Sequence, residues 1–198
     1  MKYIRVSLFL IAGLLLFASC KTTGAARQAS VKPVYITNTK KINLLPPERS
    51  AEVFDGLQLF NGSFGDSSFT MMSYTQIDAK GINLSLINDF GTDMGNLFYD
   101  GNQVKFESAY LPEKLSGEYI VEEIQNAYYD EEALRENYAA AKLRFEVQKD
   151  AADAEGNIYE VRRIFDGKNL IEKITKTEGK VRITNYLRGY AFELINAE

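Results

Sequence analysis

Histidine and tryptophan are absent from the 198-residue chain, which holds one cysteine and only four prolines. Without histidine there is no imidazole base, no Ser-His or Cys-His nucleophile pair, and none of the commonest zinc ligand. With one cysteine, no intramolecular disulfide and no thiolate metal cluster can form. Long acidic or basic runs are also missing. The formal net charge is −4 and no basic patch stands out, so nucleic acid is not an expected partner. What is present is apolar: 45% of residues, including twelve Phe and twelve Tyr. That excludes a disordered or collagen-like chain, because enough apolar surface exists to offset chain entropy. The length suits one domain able to build its own core.

Lys2 and Arg5 precede an apolar run at residues 8–17, which gives way to Ala18, Ser19 and Cys20. A membrane-spanning helix needs about 20 apolar residues. This shorter run, ending in small residues, predicts a signal peptide over residues 1–19. The sole thiol falls at the cleavage point, and Phe17-Ala18-Ser19-Cys20 resembles the bacterial lipobox, with Phe17 where Leu is usual. The resemblance implies that Cys20 is diacylated and becomes the new N-terminus, a palmitate-type lipid anchor. Two or three acyl chains hold a protein to a membrane where one holds it marginally. The competing reading is a plain signal peptide or an anchor with an incidental cysteine. Removing residues 1–19 takes away Lys2 and Arg5 and no acid, so the net charge of −4 becomes −6. Lys21, not Asp, then follows the anchor. By resemblance to lipoprotein sorting in Gram-negative bacteria, this implies the outer membrane, with the domain facing the periplasm.

Residues 20–50 are mostly polar or small, with Pro33, Pro46 and Pro47, and read as a lipidated N-terminus and tether ending in a short helix near residues 46–53. The folded domain is expected over 51–198. From Gly56 on, apolar residues alternate with period two, as in half-buried strands. Leu57, Leu59 and Phe64 mark a first strand, residues 69–77 a second, and Ile82, Leu84 and Leu86 a third. Residues 88–92 form a turn. Residues 94–99 run back, and Asp100-Gly101 is a hairpin signal leading to Val104 and Phe106. The period then changes: Ile120, Ile124 and Tyr128 recur every four residues, with Val121 beside them, as on an amphipathic helix facing a core. Asp130 is placed to cap a second helix, with Leu134 and Tyr138 inward and Glu131 and Glu132 in its favourable first turn. Strands resume from Leu143, with Asp166-Gly167 and Glu178-Gly179 as turns, and close with Tyr190, Phe192 and Leu194 on one side. The count is about nine strands and two central helices. Consecutive hairpins predict an α+β but mainly β fold: an antiparallel sheet curled on itself as a closed barrel or half-barrel, with the helices over a face or open end.

The chemical motifs are sparse. Asp89-Phe90-Gly91 spells a kinase tripeptide, but no Gly-rich loop accompanies it, and a turn is the better reading. Asp153, Glu155, Gly156 and Asn157 lack the twelfth-position Glu of a calcium loop, where Arg162 stands, and read as a hairpin turn. Asp130, Glu131 and Glu132 read as helix-start acids, and Glu118, Glu122 and Glu123 as a solvated helix face. Arg188, beside Gly189, is a strand-end arginine able to hold an anion. No catalytic constellation, metal site or cofactor is expected, and the chain does not read as an enzyme. The aromatic load and the Met71-Met72 pair either fill a core or line a cavity for an acyl chain or polyene; periodicity does not separate the two.

Residues 82–92, Ile-Asn-Leu-Ser-Leu-Ile-Asn-Asp-Phe-Gly-Thr, resemble the strand-turn-strand of LolA/LolB-type lipoprotein carriers. The order that follows is similar too: the Gly101-Asn102 hairpin, Leu111-Pro112, a helix from Glu118, then strands. Closer still is a family of uncharacterised LolB-like lipoproteins that often accompany aryl-polyene or flexirubin-type gene clusters. Its shared cues include Tyr128 and Tyr129 at the helix end, then Asn185 and Gly189-Tyr190. The resemblance covers roughly residues 56–195. It implies an unclosed antiparallel β-barrel, a LolB-like half-barrel with a two-helix lid over an apolar cavity, a lipid or lipoprotein acyl chain as ligand, and no enzymatic activity. It also implies that Phe90, standing where LolB has an exposed leucine, touches the membrane, and that Ile120, Ile124 and Tyr128 form the lid face. Two functions remain open at this point: an outer-membrane lipoprotein that binds or transfers an apolar chain, and a non-carrier interaction lipoprotein of an envelope complex.

Overall fold

The computed structural model describes residues 31–108, 110, 116–152 and 157–197. Cys20, the signal segment, Leu111-Pro112 and the acids of the 153–156 turn lie outside the described residues. Alternating segments become antiparallel strands because each can then turn one face inward and pair its backbone with its neighbours. Two short strands come first, β1 (Val34–Tyr35) and β2 (Lys41–Ile42), which pair with each other. A meander follows: β3 (Phe54–Phe64), β4 (Ser67–Asp78), β5 (Gly81–Ile87), β6 (Asp93–Tyr99) and β7 (Val104–Glu107). After two helices, a second meander runs through β8 (Arg144–Ala152), β9 (Ile158–Asp166), β10 (Asn169–Thr177), β11 (Lys180–Asn185) and β12 (Tyr190–Asn196).

The meanders join where β12 pairs with β3, from Tyr190 opposite Phe64 to Asn196 opposite Gln58. The result is one ten-stranded sheet in the order β7-β6-β5-β4-β3-β12-β11-β10-β9-β8. Its edges, β7 and β8, do not pair, so the barrel is unclosed. The connection between those edges carries α1 (Gly117–Tyr128) and α2 (Glu131–Ala140). Helix α1 touches β7, β10 and β1, while α2 packs on β8 and β2, so the helices cover the opening.

Asp130 caps α2 as expected, and Ser116 does the same for α1. Ser116 Oγ accepts from the Glu118 N–H, and Asp130 Oδ1 accepts from the Ala133 N–H at 2.9 Å. Such caps satisfy donors that have no partner inside the helix. The other end of α1 has no basic residue of its own. Buried Arg162 on β9 supplies the charge, donating from Nη1 to the carbonyls of Asn126 at 3.1 Å and Tyr129 at 2.9 Å.

Two expectations change. The main sheet has ten strands rather than about nine, and β1 and β2 fall where a tether was expected. Residues 31–50 pack as part of the domain, with Val34, Ile36 and Ile42 in the core. The short helix near 46–53 is a single 3-10 turn, Pro47–Arg49. The segment is held because the Gln125 side chain pairs with the backbone of Leu45 in both directions, at 2.9 and 2.7 Å. Lys40 adds an ion pair to Asp166 at 2.5 Å. This segment packs on α1 at Gln125, and with the sheet and α2 around the other sides every residue from Val121 to Tyr128 is buried.

Candidate functional site

Strand β12 lies mid-sheet, where full burial is the norm, yet none of its residues is fully buried. Its inward side chains Tyr190, Phe192 and Leu194 face a cavity of about 170 Å³ between the concave sheet and α1. Strand β3 contributes Gln58, Phe60 and Phe64, β4 contributes Phe69 and Thr75, and β5 contributes Leu84 and Leu86. From above, α1 contributes Tyr119, Ile120, Glu123, Ile124 and Tyr128. The rings pack on one another: Phe60 meets Phe69 edge-on at 5.3 Å and Phe192 at 5.4 Å, and Tyr190 lies 4.9 Å from Phe192. Gly62 makes this possible. A Cβ there would come within 2.1 Å of the Phe69 ring, which lies across the strand in its place.

The inward face of β3 is not the one that the leucines suggest. Leu57 is exposed, and the inward set is Gln58, Phe60, Gly62 and Phe64. Ile124 and Tyr128 are buried and Ile120 half-buried, all three lining the cavity, so the lid face falls where the four-residue period puts it. At the mouth, Arg188 stacks 4.5 Å from the Tyr119 ring and donates to Tyr119 Oη and to the carbonyl of Tyr35. Asp89-Phe90-Gly91 is a turn. Asn88 Oδ1 accepts from the N–H groups of Phe90 at 3.0 Å and Thr92 at 2.9 Å, which fixes the loop and leaves Phe90 93% exposed. Antiparallel topology puts this turn at the same end of the sheet as the 186–189 turn, where Tyr186 and Leu187 are also exposed.

Glu122 and Glu123 overturn the expectation of a solvated face: both are buried. Only Glu118 of the three keeps partial contact with solvent. Glu122 Oε1 accepts from Tyr138 Oη at 2.7 Å and Asn126 Nδ2 at 2.6 Å. Asn126 Nδ2 also reaches Glu172 Oε1 at 2.9 Å, Asn185 Nδ2 reaches Glu172 Oε2 at 3.0 Å, and Tyr190 donates to Glu123. A bulge in β10 between Leu170 and Glu172 breaks the alternation, so Ile171 and Glu172 are both buried.

Burial raises all three acids above the usual carboxylate range. Glu123 is raised well above it, by burial and then by the charges of Glu172 and Glu122. Glu172 is pushed up to about 8 by burial and then by Glu122. One oxygen from each of the three lies within 4.8 Å of the others, close enough for a cation. The Asn126 amide already bridges Glu122 and Glu172, however, and burial disfavours the charged carboxylates that a cation needs. The arrangement suits proton sharing better than metal binding. The sequence signal that could have found it is weak: an Asn one turn after Glu122, and nothing local to point at Glu172.

A family model described as a protein of unknown function (DUF3261) matches residues 56–196, from β3 to the last residue of β12. Comparison with curated proteins returned no match.

The acid cluster predicts how stability follows pH. Groups whose folded pKa is raised contribute stability fully below their unfolded value, near 4.5, and lose it as pH rises through the folded value, about 8 for Glu172. The chain has no histidine to mask this window. The melting temperature is therefore expected to fall as pH rises from about 5 to about 8. Glu123→Gln mimics the protonated acid, and its melting temperature should fall less over the same range. Identical pH dependence in the two proteins would contradict the assignment.

Proposed function

The chain belongs to the DUF3261 family, and we propose that it is a binding protein, not an enzyme, that holds or passes on an apolar chain in the cavity under α1. The observation that carries this reading is the cavity itself. Large aromatic side chains surround about 170 Å³ of space without filling it, although close packing is the rule in protein interiors. Such a space loses contacts unless an apolar group occupies it. The half-barrel, its lid and the cavity are also what the resemblance to LolA/LolB-type carriers implies, and that likeness supports a lipid or lipoprotein acyl chain as the ligand class.

The same proposal places the protein at the outer membrane, facing the periplasm and anchored through an acylated Cys20. Changing Cys20 to Ala is expected to abolish incorporation of labelled palmitate; equal labelling of both proteins would remove the anchor from the account. The rim supplies the second membrane contact. Phe90 is a large apolar side chain held in water by a turn, and Tyr186 and Leu187 are exposed at the same end. Inserting one Phe into a bilayer contributes about 1.5–3 kcal/mol. That is weak alone but useful to a protein already tethered at the surface.

Phe90→Glu should melt with wild type, because the side chain has no packing to lose. It should transfer a fluorescent lipid to liposomes more slowly, by about tenfold or more if most of the insertion energy is lost. Transfer at the wild-type rate would contradict the membrane role of Phe90.

A further inference from the structure

Of the residues that line the chamber, only Arg188 is exposed, which places it at the mouth. It follows Tyr186 and Leu187 in the turn between β11 and β12, at the end of the sheet proposed to meet the bilayer. Asn185 Oδ1 accepts from the Arg188 backbone N–H at 2.9 Å, and the guanidinium stacks 4.5 Å from the Tyr119 ring. Its Nη2 donates to Tyr119 Oη at 3.2 Å and to the carbonyl of Tyr35. Among the described residues Nε and Nη1 have no hydrogen-bond partner, and no carboxylate forms an ion pair with Arg188. A guanidinium has five donors and no acceptor, so its remaining N–H groups and its charge are open to a ligand.

The one acid on the chamber wall is Glu123. Tyr190 donates to it, and burial, then the charges of Glu172 and Glu122, raise it well above the carboxylate range. Its charged form is disfavoured, so little negative charge faces the chamber. Burial also raises Glu122; hydrogen bonds from Tyr138 and Asn126, and then the charge of Arg188, lessen that rise. The lasting charge on the lining is a single cation at the exposed end, with apolar side chains behind it.

We propose that Arg188 binds the anionic head group, a carboxylate or a phosphate, of an amphiphile whose chain lies in the chamber. This rests on the carrier reading and refines its ligand class. An anionic oxygen accepts from Nε or Nη1 and pairs with the charge, a bond about twice as strong as a neutral one. An alcohol gains the hydrogen bond alone. An ammonium head is repelled. A hydrocarbon end leaves the guanidinium to water.

The test uses the full chain in phosphatidylcholine nanodiscs with a diazirine-bearing alkane as photoprobe, its crosslinks to β3 and β12 peptides counted by mass spectrometry. Competitors of equal chain length are a carboxylic acid, an alkyl phosphate, a primary alcohol and a primary amine. Each is compared between wild type and variant in the same nanodiscs, so that partitioning cancels. The preference for an anion over the alcohol is expected to fall by up to about fivefold in Arg188→Gln, the range of one exposed ion pair. Arg188→Lys, which keeps the charge, should retain more of it than Arg188→Gln. Added salt should weaken the preference in wild type, because the site is exposed. Preference for either anion supports the proposal, and the stronger of the two identifies the head. If Arg188 only ties its turn to Tyr119 and Tyr35, Arg188→Gln weakens all competitors alike and the ratio stays; that result would overturn the proposal. So would equal loss in Arg188→Lys and Arg188→Gln, a wild-type preference indifferent to salt, or a preference for the amine that Arg188→Gln removes. Absence of any cavity crosslink in wild type would overturn the carrier reading itself, a result distinct from the others.

Discussion

Helix α1 can sit in the barrel opening only if the polar groups that it takes out of water are paired, and the rest of the domain depends on that condition. Glu122, Glu123, Gln125 and Asn126 are all buried with it. Leaving one buried polar group unpaired costs about 1–3 kcal/mol, so several unmet together would eject the helix. Each finds its partner on a different element: Asn126 on β10, Glu122 on α2, Glu123 on β12 and Gln125 on the segment before β3. Arg162 completes the set by pairing with the carbonyls at the helix end. The lid is fixed by polar contacts around its margin, and its apolar face is left free to line a chamber.

That division of labour accounts for the cavity. A sheet whose edge strands do not pair must cover its concave face with something, and here α1 meets it along the side of β10 and β7. Over β3, β4 and β12 the space is bounded by rings that touch one another and leave room between wall and lid. Gly62 sharpens the point: by yielding its position to the Phe69 ring, it makes the wall aromatic where a larger residue would have forced that ring away.

Much of this was legible in the sequence. The hairpins, the two helices, the Asp130 cap and the inward stripe of Ile120, Ile124 and Tyr128 follow from period and turn chemistry, and the unclosed barrel from the family resemblance. Phe90 at a turn tip was legible for the same reason. Glu122 and Glu123 were not, because acids beside an apolar stripe normally face water, and their partners Tyr138 and Tyr190 lie 16 and 67 residues along the chain. Glu172 was hidden by a bulge that breaks the alternation on which strand reading depends. On β3, Gln58 and Gly62 interrupt the inward apolar series, so the leucines of the opposite face gave the stronger signal. Residues 31–50 looked like a tether by composition, and their order comes from Gln125, a contact across 80 positions.

The central claim is that the chamber beneath α1 holds an apolar molecule. Native mass spectrometry of the full chain, purified from its own membranes and released gently into the gas phase, tests it most directly. The account predicts a population heavier than the acylated polypeptide by a discrete mass, which extraction with organic solvent removes and identifies as a largely apolar compound. A single species at the mass of the acylated polypeptide alone, under conditions that preserve the fold, would contradict it.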